Sequence, residues 1–247
     1  MKVVATYSIK GGVGKTTAAV NLAYEAARAG ARVLLWDLDP QGAATFFFRI
    51  KLGFKGGAER LIGHKGELAA HIKATDITGV HLVPADFSLR HLDLRLDEAA
   101  HSTRRLAGLL QPLDDHYDVA VLDCPPGISL SSEAVFRTAD ALLVPTIPTT
   151  LSVRTLSQLA GFLATADAPP VILPFVSMLD RRKSLHRELL ERLEHQEPRF
   201  LHAAIPNASA VERMGVRRAP VGEFAPRTAA AQAFTALWAE VAEHLWQ

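Results

Sequence analysis

The residues with the clearest chemical capability lie at positions 10–17, in the segment Lys-Gly-Gly-Val-Gly-Lys-Thr-Thr. Glycines allow successive backbone N–H groups to turn toward a polyphosphate, and a helix that follows directs its positive end at the same anion. Lys15 would reach the β- and γ-phosphates, and the Thr16 hydroxyl would bind Mg²⁺. The predicted cofactor-binding residues are Gly11, Gly12, Val13, Gly14, Lys15, Thr16 and Thr17. The segment therefore predicts a site for a nucleoside polyphosphate.

The flanking segments have the character that a phosphate-binding loop requires. Residues 3–7 are apolar, β-branched and aromatic, which predicts a strand. Residues 16–28 predict a helix, and Gly30 is a typical residue for its end. A glycine-rich loop between a strand and a helix is the context in which this kind of motif indicates phosphate binding.

Two further apolar runs lead to aspartates. Residues 32–36 predict a buried parallel strand before Asp37 and Asp39, and the run that ends at Asp123 has the Walker B pattern. Parallel strands bring their carboxyl ends to one sheet edge, where the ligands of open α/β sheets bind. We therefore predict that Asp123 lies near the Mg²⁺ shell, and that Asp37 either supports or caps its loop.

Strands and helices alternate along the chain. The remaining predicted strands are 80–85, 139–145, 171–176 and 200–205, and the remaining main helices are 152–163, 184–194 and 228–246. This alternation is typical of α/β proteins with a single doubly wound, mostly parallel sheet flanked by helices. Pro174 indicates that its strand lies at a sheet edge or carries a bulge.

Composition limits the class of protein and of partner. The formal net charge is +1 over 247 residues, so nucleic-acid binding would require a local basic patch. The single cysteine, Cys124, excludes an internal disulfide and fits a reducing cytoplasm. No apolar run is long enough to span a membrane and no signal peptide is visible, so a cytoplasmic protein without a membrane partner is expected.

The order of residues in the loop resembles that of one family. The ordinary pattern G-x-x-x-x-G-K-[ST] would place glycine where Ile9 stands, whereas Lys10 precedes the glycine pair. The sequence K-G-G-x-G-K-T resembles the deviant Walker A motif of the ParA/MinD family of ATPases, closest to short ParA/Soj-like partitioning ATPases. The resemblance implies ATP and Mg²⁺ as cofactors and Lys10 and Lys15 as catalytic lysines. Lys10 would reach the partner subunit's phosphates in a sandwich dimer.

Three shorter segments extend this resemblance. Residues 37–42, Asp-Leu-Asp-Pro-Gln-Gly, resemble switch I of the family, which implies that Asp39 positions or activates the attacking water close to the metal. Residues 124–126, Cys-Pro-Pro, resemble switch II. A Pro-x-Asn segment lines the adenine pocket in the family. Here the asparagine comes one residue early, so Pro206 and Asn207 are the expected counterparts.

The function implied by the resemblance is the positioning of cargo. ParA-like ATPases form an ATP-dependent homodimer, bind DNA without sequence preference and partition a chromosome, a plasmid or a protein complex. A ParB-like or other adaptor protein stimulates hydrolysis and releases them. The expected location is therefore the cytoplasm, in association with the nucleoid. Because the loop begins at residue 10, residues 1–247 are expected to form one ParA-like ATPase domain without an amino-terminal helix-turn-helix domain.

Two clusters of basic residues could bind DNA, and such binding would be electrostatic and salt-dependent. The first contains Arg181, Arg182 and Lys183 with Arg187, and the second contains Arg213, Arg217 and Arg218. Family members often have an arginine four residues after the proline of the Ile-Pro segment, where Ala210 stands here. Solvated surface arginines would give the same pattern, so both interpretations stay open.

Two other functions stay open. A MinD- or FlhG-like regulator would mark a membrane site, but the last helix carries Glu240 and Glu243, with no lysine or arginine after Arg227. The apolar spacing of that helix predicts that it packs on the domain. A metabolic P-loop ligase of the same superfamily, similar to dethiobiotin synthetase, would share the loop. Lys10 and residues 37–42 favour the partitioning branch.

The stretch 43–80 is the least regular part of the chain. Phe46, Phe47 and Phe48 stand where family members usually carry small polar residues. They are predicted to form either a wedge in the core or an apolar contact surface for a second subunit or partner. The basic residues nearby, which outnumber Glu59 and Glu67, are Arg49, Lys51, Lys55, Arg60, Lys65 and Lys73. They are interpreted as a solvated basic face.

Overall fold

The computed structural model of the protein describes residues 1–62, 67–98, 102–193 and 197–247. The strands in this part of the chain are β1 (Lys2–Thr6), β2 (Val33–Asp37), β3 (Lys73–Ala74), β4 (Val80–Val83), β5 (Val119–Asp123), β6 (Ala141–Thr146), β7 (Val171–Leu179) and β8 (Ala204–Pro206). The α-helices are α1 (Lys15–Arg28), α2 (Ala43–Phe47), α3 (Gly57–Ile62), α4 (Leu92–Asp97), α5 (Arg105–Leu110), α6 (Leu130–Thr138), α7 (Thr150–Leu163), α8 (Ser184–Leu193), α9 (Ser209–Glu212), α10 (Met214–Arg217), α11 (Val221–Phe224) and α12 (Ala229–Trp246). Short 3₁₀ turns connect several of them.

The strands form one eight-stranded sheet in the order β3-β4-β2-β5-β1-β6-β7-β8. Every neighbouring pair is parallel except β3 and β4, which are antiparallel. The central strand β1 lies between β5 and β6, and the other strands lie outward of these two on both sides. This order confirms the predicted doubly wound, mostly parallel sheet flanked by helices, and it places the loop after β1 at the middle of the carboxyl edge.

Successive residues of the central strands point to opposite faces of the sheet, and each face carries its own core. Leu34 and Trp36 of β2 pack in one cluster with residues from α3 to α7. Val33 and Leu35 pack in the other cluster with α1 and α12. Phe234, Leu237, Trp238, Val241 and Leu245 of α12 are buried, so the prediction that the last helix packs on the domain is confirmed. None of the helices in the described ranges combines the length and apolar character needed to cross a lipid bilayer.

Of the two alternatives predicted from Pro174, an edge strand or a bulged one, the structure shows an irregularity in the strand but no edge position. Its strand β7 lies between β6 and β8, so the predicted edge position is wrong, and the register irregularity of β7 lies further on, between Val176 and Leu179. The pairing of β7 with β8 starts only at Val176. Pro174 directs its carbonyl toward the segment before β8, where it accepts from the Leu201 N–H at 2.8 Å. The absent N–H of the proline therefore interrupts no ladder.

A buried carboxylate lies where α1 packs against α12. Glu25 is 2% exposed, and its Oε1 has no hydrogen-bond partner in the described residues. Its Oε2 accepts a hydrogen bond from the Thr235 hydroxyl at 3.1 Å and lies 3.3 Å from the Arg28 guanidinium. Burial raises the pKa of Glu25, and the Thr235 hydroxyl and Arg28 oppose this rise. The ionised form is therefore less favourable in the folded chain than in the unfolded chain.

We expect Glu25→Gln to become more favourable relative to wild type as the pH rises. Because the folded pKa is raised, the contribution of Glu25 to stability is full below its unfolded pKa of about 4.3 and is lost as the pH rises through the folded pKa. Between pH 4.5 and 8 the melting temperature of the variant should gain about 2–4 °C on wild type, for about 1 kcal/mol.

The matched control for this prediction is Glu243→Gln, since Glu243 is exposed near the end of α12 and, among the described residues, its carboxylate accepts a hydrogen bond from the Gln247 amide alone. This variant controls for the loss of one carboxylate that is not buried. Melting curves followed by circular dichroism measure the melting temperature of each variant relative to wild type. Parallel curves for Glu25→Gln and wild type would contradict the assignment of a raised pKa to this carboxyl.

Candidate functional site

The loop after β1 adopts the curvature that its glycines allow. Gly12 and Gly14 have φ angles of 71° and 98°, in the left-handed region that favours glycine. Gly14 is the N-cap residue of α1, so the positive end of a 14-residue helix faces the concave side of the loop. A Cβ atom at Gly14 would lie 3.0 Å from Ser177 Oγ, and that hydroxyl donates to the Val13 carbonyl at 2.8 Å. Strand β7 therefore fixes the shape of the loop.

Lys15 lies folded inside this loop. It is 7% exposed, and its Nζ donates to the Lys10 carbonyl at 3.3 Å. Burial lowers the pKa of Lys15, while the negative charges of Asp123 and Asp39 oppose this change. The structure thus brings Lys15 into the same electrostatic environment as the two predicted carboxylates. Lys10 itself is half-buried, and no residue in the described ranges bonds to its ammonium group.

Asp37 supports the loop that follows β2. It is fully buried, and its Oδ2 accepts from both the backbone N–H and the hydroxyl of Thr45, at 2.8 and 2.7 Å. The same hydroxyl oxygen accepts from the Ala85 N–H at 2.8 Å. Asp37 therefore ties the end of β2 to α2 and to the segment after β4. Burial raises its pKa to about 6, and its hydrogen bonds with Thr45 oppose the shift.

Asp123 has a carboxylate oxygen available for a cation. It ends β5 opposite Asp37, and both side chains are fully buried. Its Oδ1 accepts from the Thr6 hydroxyl at 3.3 Å, whereas Oδ2 has no hydrogen-bond partner among the described residues. Burial raises the pKa of Asp123, with the charge of Asp37 adding to the rise and the Thr16 side chain opposing it. An orphaned buried oxygen beside a threonine hydroxyl fits a divalent cation.

The carboxylate and hydroxyl next to the phosphate loop suit a cation that takes its other ligands from waters and phosphates. The described residues contain no group of three or more His, Cys, Asp or Glu side chains that could hold a metal ion alone. Mg²⁺ usually keeps several waters and is bound through one or two carboxylates together with substrate phosphates. The pairing of Thr16 with Asp123 in front of a phosphate loop is therefore the donor set that suits Mg²⁺.

Asp39 lies beyond the end of β2 and is half-buried. Its Oδ1 accepts from the Gln41 N–H at 2.9 Å, which shapes the turn into α2. Gly42 ends this turn with a φ of 65°, and a Cβ atom there would clash with Leu52. The charge of Asp39 acts on Lys15 and on Asp123, so all three belong to one site at the sheet edge.

A cavity of about 410 Å³ opens beside the phosphate loop. Its walls include Gly14 and Thr17 on one side and Pro206 and Asn207 on the other, together with Phe47 of α2. The structure thus brings the expected adenine-pocket residues next to the loop, although residues 17 and 206 are far apart in sequence. Sequence reasoning assigned no nucleotide contact to Phe47, and the unusual phenylalanine triplet was its only signal.

Comparisons with known proteins agree on one family. Residues 1–168 match a family profile described as an AAA domain. The chromosome partitioning protein ParA of Caulobacter vibrioides is 30% identical, with 98% of this chain and 94% of that protein covered. The chain belongs to the ParA/MinD family of ATPases. The sporulation initiation inhibitor protein Soj of Bacillus subtilis is 28% identical, with 98% of each chain covered.

One similar solved structure was determined with ligands bound. The cobyrinic acid a,c-diamide synthase of Mycobacterium smegmatis, crystallised with ADP and magnesium, superposes with a TM-score of 0.81. The two chains are 25% identical, and the superposition covers 99% of this chain and 95% of the other.

The three phenylalanines of this ParA/MinD-family chain have three different environments. Phe48 is 5% exposed in the core, Phe47 lines the 410 Å³ cavity, and Phe46 is 47% exposed. The core prediction is therefore confirmed for Phe48, and Phe47, which is partly buried, packs against the same cluster. Arg218 covers Phe46: its guanidinium carbon lies 4.5 Å from the ring centroid, and its Nε donates to the Phe46 carbonyl at 2.9 Å. Arg218 is thus engaged with the segment after switch I.

In each of the two predicted basic clusters one arginine is engaged, and other exposed cations have no ion pair among the described residues. Arg182 forms a two-pronged ion pair with Asp180, at 2.9 and 3.0 Å. The exposed Arg181 and Lys183 beside it have no ion pair in the described part of the chain. In the second cluster, whose Arg218 is engaged, the exposed Arg213 and Arg217 are likewise unpaired among the described residues.

Proposed function

We propose that the protein is an ATPase that binds ATP with Mg²⁺, forms an ATP-dependent homodimer on DNA and positions a cargo. The observation that carries the proposal is the convergence of Lys15, Asp39 and Asp123 at one phosphate loop. An adaptor protein of the ParB type or another kind would stimulate hydrolysis and release the dimer. The cargo would be a chromosome, a plasmid or a protein complex, and the location would be the cytoplasm, in association with the nucleoid.

The site residues would have separate roles in hydrolysis. The loop N–H groups and Lys15 would hold the phosphates, and Thr16 and Asp123 would hold Mg²⁺, with Asp39 nearby. Mg²⁺, when bound, neutralises charge that develops on the phosphate oxygens. Asp39 would orient the attacking water, because it lies beyond the end of β2 and its second oxygen accepts no hydrogen bond from the described residues. Asp37, tied to Thr45, would hold the segment in place.

The nucleotide base would occupy the 410 Å³ cavity, whose size is in the usual range for small-molecule sites. Pro206 and Asn207 would contact adenine from one side and Phe47 from another. Lys10 would serve the second subunit, since its ammonium group bonds to no described residue of its own chain. The dimer would then form only when ATP provides phosphates for both lysines, which links nucleotide binding to assembly.

The experiment that tests this function measures binding to non-specific duplex DNA with ATP, ADP or no nucleotide, across a series of salt concentrations. ATP-dependent binding with a steep negative salt slope is expected, because the contacts would be made to backbone phosphates. Absence of binding in every nucleotide state would overturn the DNA-positioning function and leave the ATP site standing. Pelleting with lipid vesicles in the presence of ATP would then test the membrane-directed alternative.

The two clusters should contribute to DNA binding through their unpaired members. Replacing Arg213 and Arg217 together by alanine should weaken binding at every sequence and reduce the salt slope by about 2, at about 1 per phosphate contact. Replacing Arg181 and Lys183 tests the first cluster in the same way. Fluorescence anisotropy with a labelled duplex gives both the affinity and the slope.

Arg182→Ala is the matched control for these variants. Asp180 neutralises Arg182, so its loss should change the salt slope by much less than the loss of an unpaired arginine. Equal effects of all the variants would contradict the assignment of binding to the unpaired residues. Unchanged slopes in both double variants would place the DNA surface elsewhere.

A second candidate function is a metabolic ligase of the same superfamily, favoured by the likeness to the M. smegmatis structure. Such an enzyme would consume ATP only when an organic acid is present to be activated. A screen of organic acids for stimulation of ATP turnover distinguishes the two functions. Stimulation by an acid, with no response to DNA, would favour the ligase.

A further inference from the structure

A second cavity, of about 400 Å³, lies apart from the nucleotide cavity and shares none of its lining residues. Its walls come from the loop before α3, from α3 and from the segment that leads into β3. The lining residues with chemical capability are Phe54, Lys55, Arg60, Glu67, His71 and Lys73. We call this the basic cavity. Its size is in the usual range for small-molecule sites.

The charge of the basic cavity is strongly positive. Lys55, Arg60 and Lys73 are exposed around it, and none of them forms an ion pair with an acidic residue in the described ranges. Glu67 is the one carboxylate among the described lining residues. Glu59, on the same helix as Arg60, is already paired with Arg95 at 3.3 Å. Three cations and one carboxylate therefore line the basic cavity among the described residues. Part of the basic face that the sequence predicts is thus concave. Lys65 of that face lies outside the described residues.

The wall of the basic cavity contains an imidazole ring that has no hydrogen-bond partner among the described residues. His71 is 9% exposed, and its ring nitrogens bond to no residue in the described part of the chain. The Phe54 ring lies against it, with the ring centroids 4.9 Å apart. Burial lowers the pKa of His71, and the charges of Arg60 and Lys73 lower it further. A neutral imidazole at pH 7 offers one N–H donor to a ligand.

We propose that the basic cavity binds the phosphate monoester of a small aromatic molecule. A phosphate dianion matches the excess of cations, and a guanidinium such as that of Arg60 can bind it in a bidentate way. The volume exceeds the need of a bare phosphate, and the Phe54 ring offers a face to a planar group. The buried position of His71 favours a small ligand over duplex DNA, whose phosphates would reach the exposed lysines but not the imidazole.

The test uses the full-length protein saturated with Mg²⁺ and ADP, so that the phosphate loop is occupied. The probes are phenyl phosphate, inorganic phosphate and a short DNA duplex, each titrated by calorimetry. Phenyl phosphate should bind more tightly than inorganic phosphate and should shift the ring resonances of His71 in NMR spectra. Arg60→Ala and Lys73→Ala should each weaken it about tenfold or more, as expected for a hydrogen bond to a charged group.

Two variants sharpen the test without disturbing the core. Lys51→Ala is the matched control, because Lys51 is an exposed residue of the same basic face that does not line the cavity. It should change the affinity less than twofold, whereas Glu67→Gln should tighten binding by removing the carboxylate. Equal losses of affinity in Lys51→Ala and Arg60→Ala would show that general surface charge causes the effect and would overturn the proposal. So would equal affinities for phenyl and inorganic phosphate, or a duplex that shifts His71 and competes with phenyl phosphate.

Discussion

Lys15→Ala should lower the affinity for ATP by at least about 100-fold and abolish ATP-driven dimerisation. Lys15 is 7% exposed within the phosphate loop, so its removal would leave phosphate charge without its partner. Truncating one member of a buried, hydrogen-bonded charge pair costs about 2–5 kcal/mol, and each 1.4 kcal/mol is about tenfold in affinity. Calorimetric titration with ATP and Mg²⁺ measures the affinity, and sedimentation measures the dimer.

Lys10→Ala is the matched control, because the two lysines belong to one loop and would serve different subunits. The Lys10 ammonium bonds to no described residue of its own chain, and Lys15 Nζ donates to the backbone carbonyl of Lys10, which alanine keeps. Lys10→Ala should therefore retain binding of ATP to the monomer while losing the dimer. Unchanged ATP affinity in Lys15→Ala would refute the phosphate site. Intact dimerisation in Lys10→Ala would refute its role across the interface.

The central part of the fold could be predicted from the sequence because its signals are local. Buried parallel strands are almost continuously apolar, and the glycines before Lys15 indicate a loop whose backbone can surround a phosphate. The strand that ends at Asp123 was predictable for the same reason. Chain order alone does not give the neighbours of a strand, however. That Asp37 lies opposite Asp123 follows from the register of β2 with β5, which only the folded sheet defines.

The division of roles between Asp37 and Asp39 illustrates this limit. Both carboxylates stand within one short segment, and the sequence left Asp37 as a support or a cap for its loop. The structure separates them because the strand ends between them: Asp37 is buried and bonded to Thr45, whereas Asp39 is half-buried beyond the strand. The partner Thr45 lies in a helix whose packing the sequence pattern did not define.

Side chains that are adjacent in sequence also diverge for geometric reasons. Consecutive residues of a helix point about 100° apart. Phe46, Phe47 and Phe48, at the end of α2, therefore face Arg218, the nucleotide cavity and the core in turn. No single prediction for the triplet could have been right. The ion pair of Arg182 was easier to predict, because its partner Asp180 stands only two residues before it.

The site depends on contacts between distant parts of the chain, and these were the hardest to predict. Pro206 ends the short strand β8 and Asn207 follows it; β8 begins at Ala204, whereas the predicted strand began at Phe200. They lie beside the phosphate loop because the pairing of β8 with β7 fixes where β8 lies in the sheet. Only the resemblance to a family indicated their position, because neither residue type alone predicts contact with a base.

Asp39→Ala should leave ATP binding intact and reduce turnover by about 10²–10⁴-fold, the usual contribution of a group that positions or activates a water. The side chain lies at the edge of the site, half-buried, and it is not among the residues that line the base cavity. Its loss should therefore slow hydrolysis without weakening the ground-state complex. The ATP-bound dimer would then accumulate, and the variant would stay on DNA after wild type has been released.

Asp39→Asn is the control that separates chemistry from loop structure. An asparagine side chain can still accept from the Gln41 N–H, the bond that shapes the turn into α2, but it cannot act as a carboxylate. If Asp39 acts on the attacking water, both variants should show the same loss of turnover and the same trapped dimer. If the turn is what matters, Asp39→Asn should retain most of the wild-type rate. Phosphate release under single-turnover conditions distinguishes the two, and a wild-type rate in Asp39→Ala would remove this carboxylate from the mechanism.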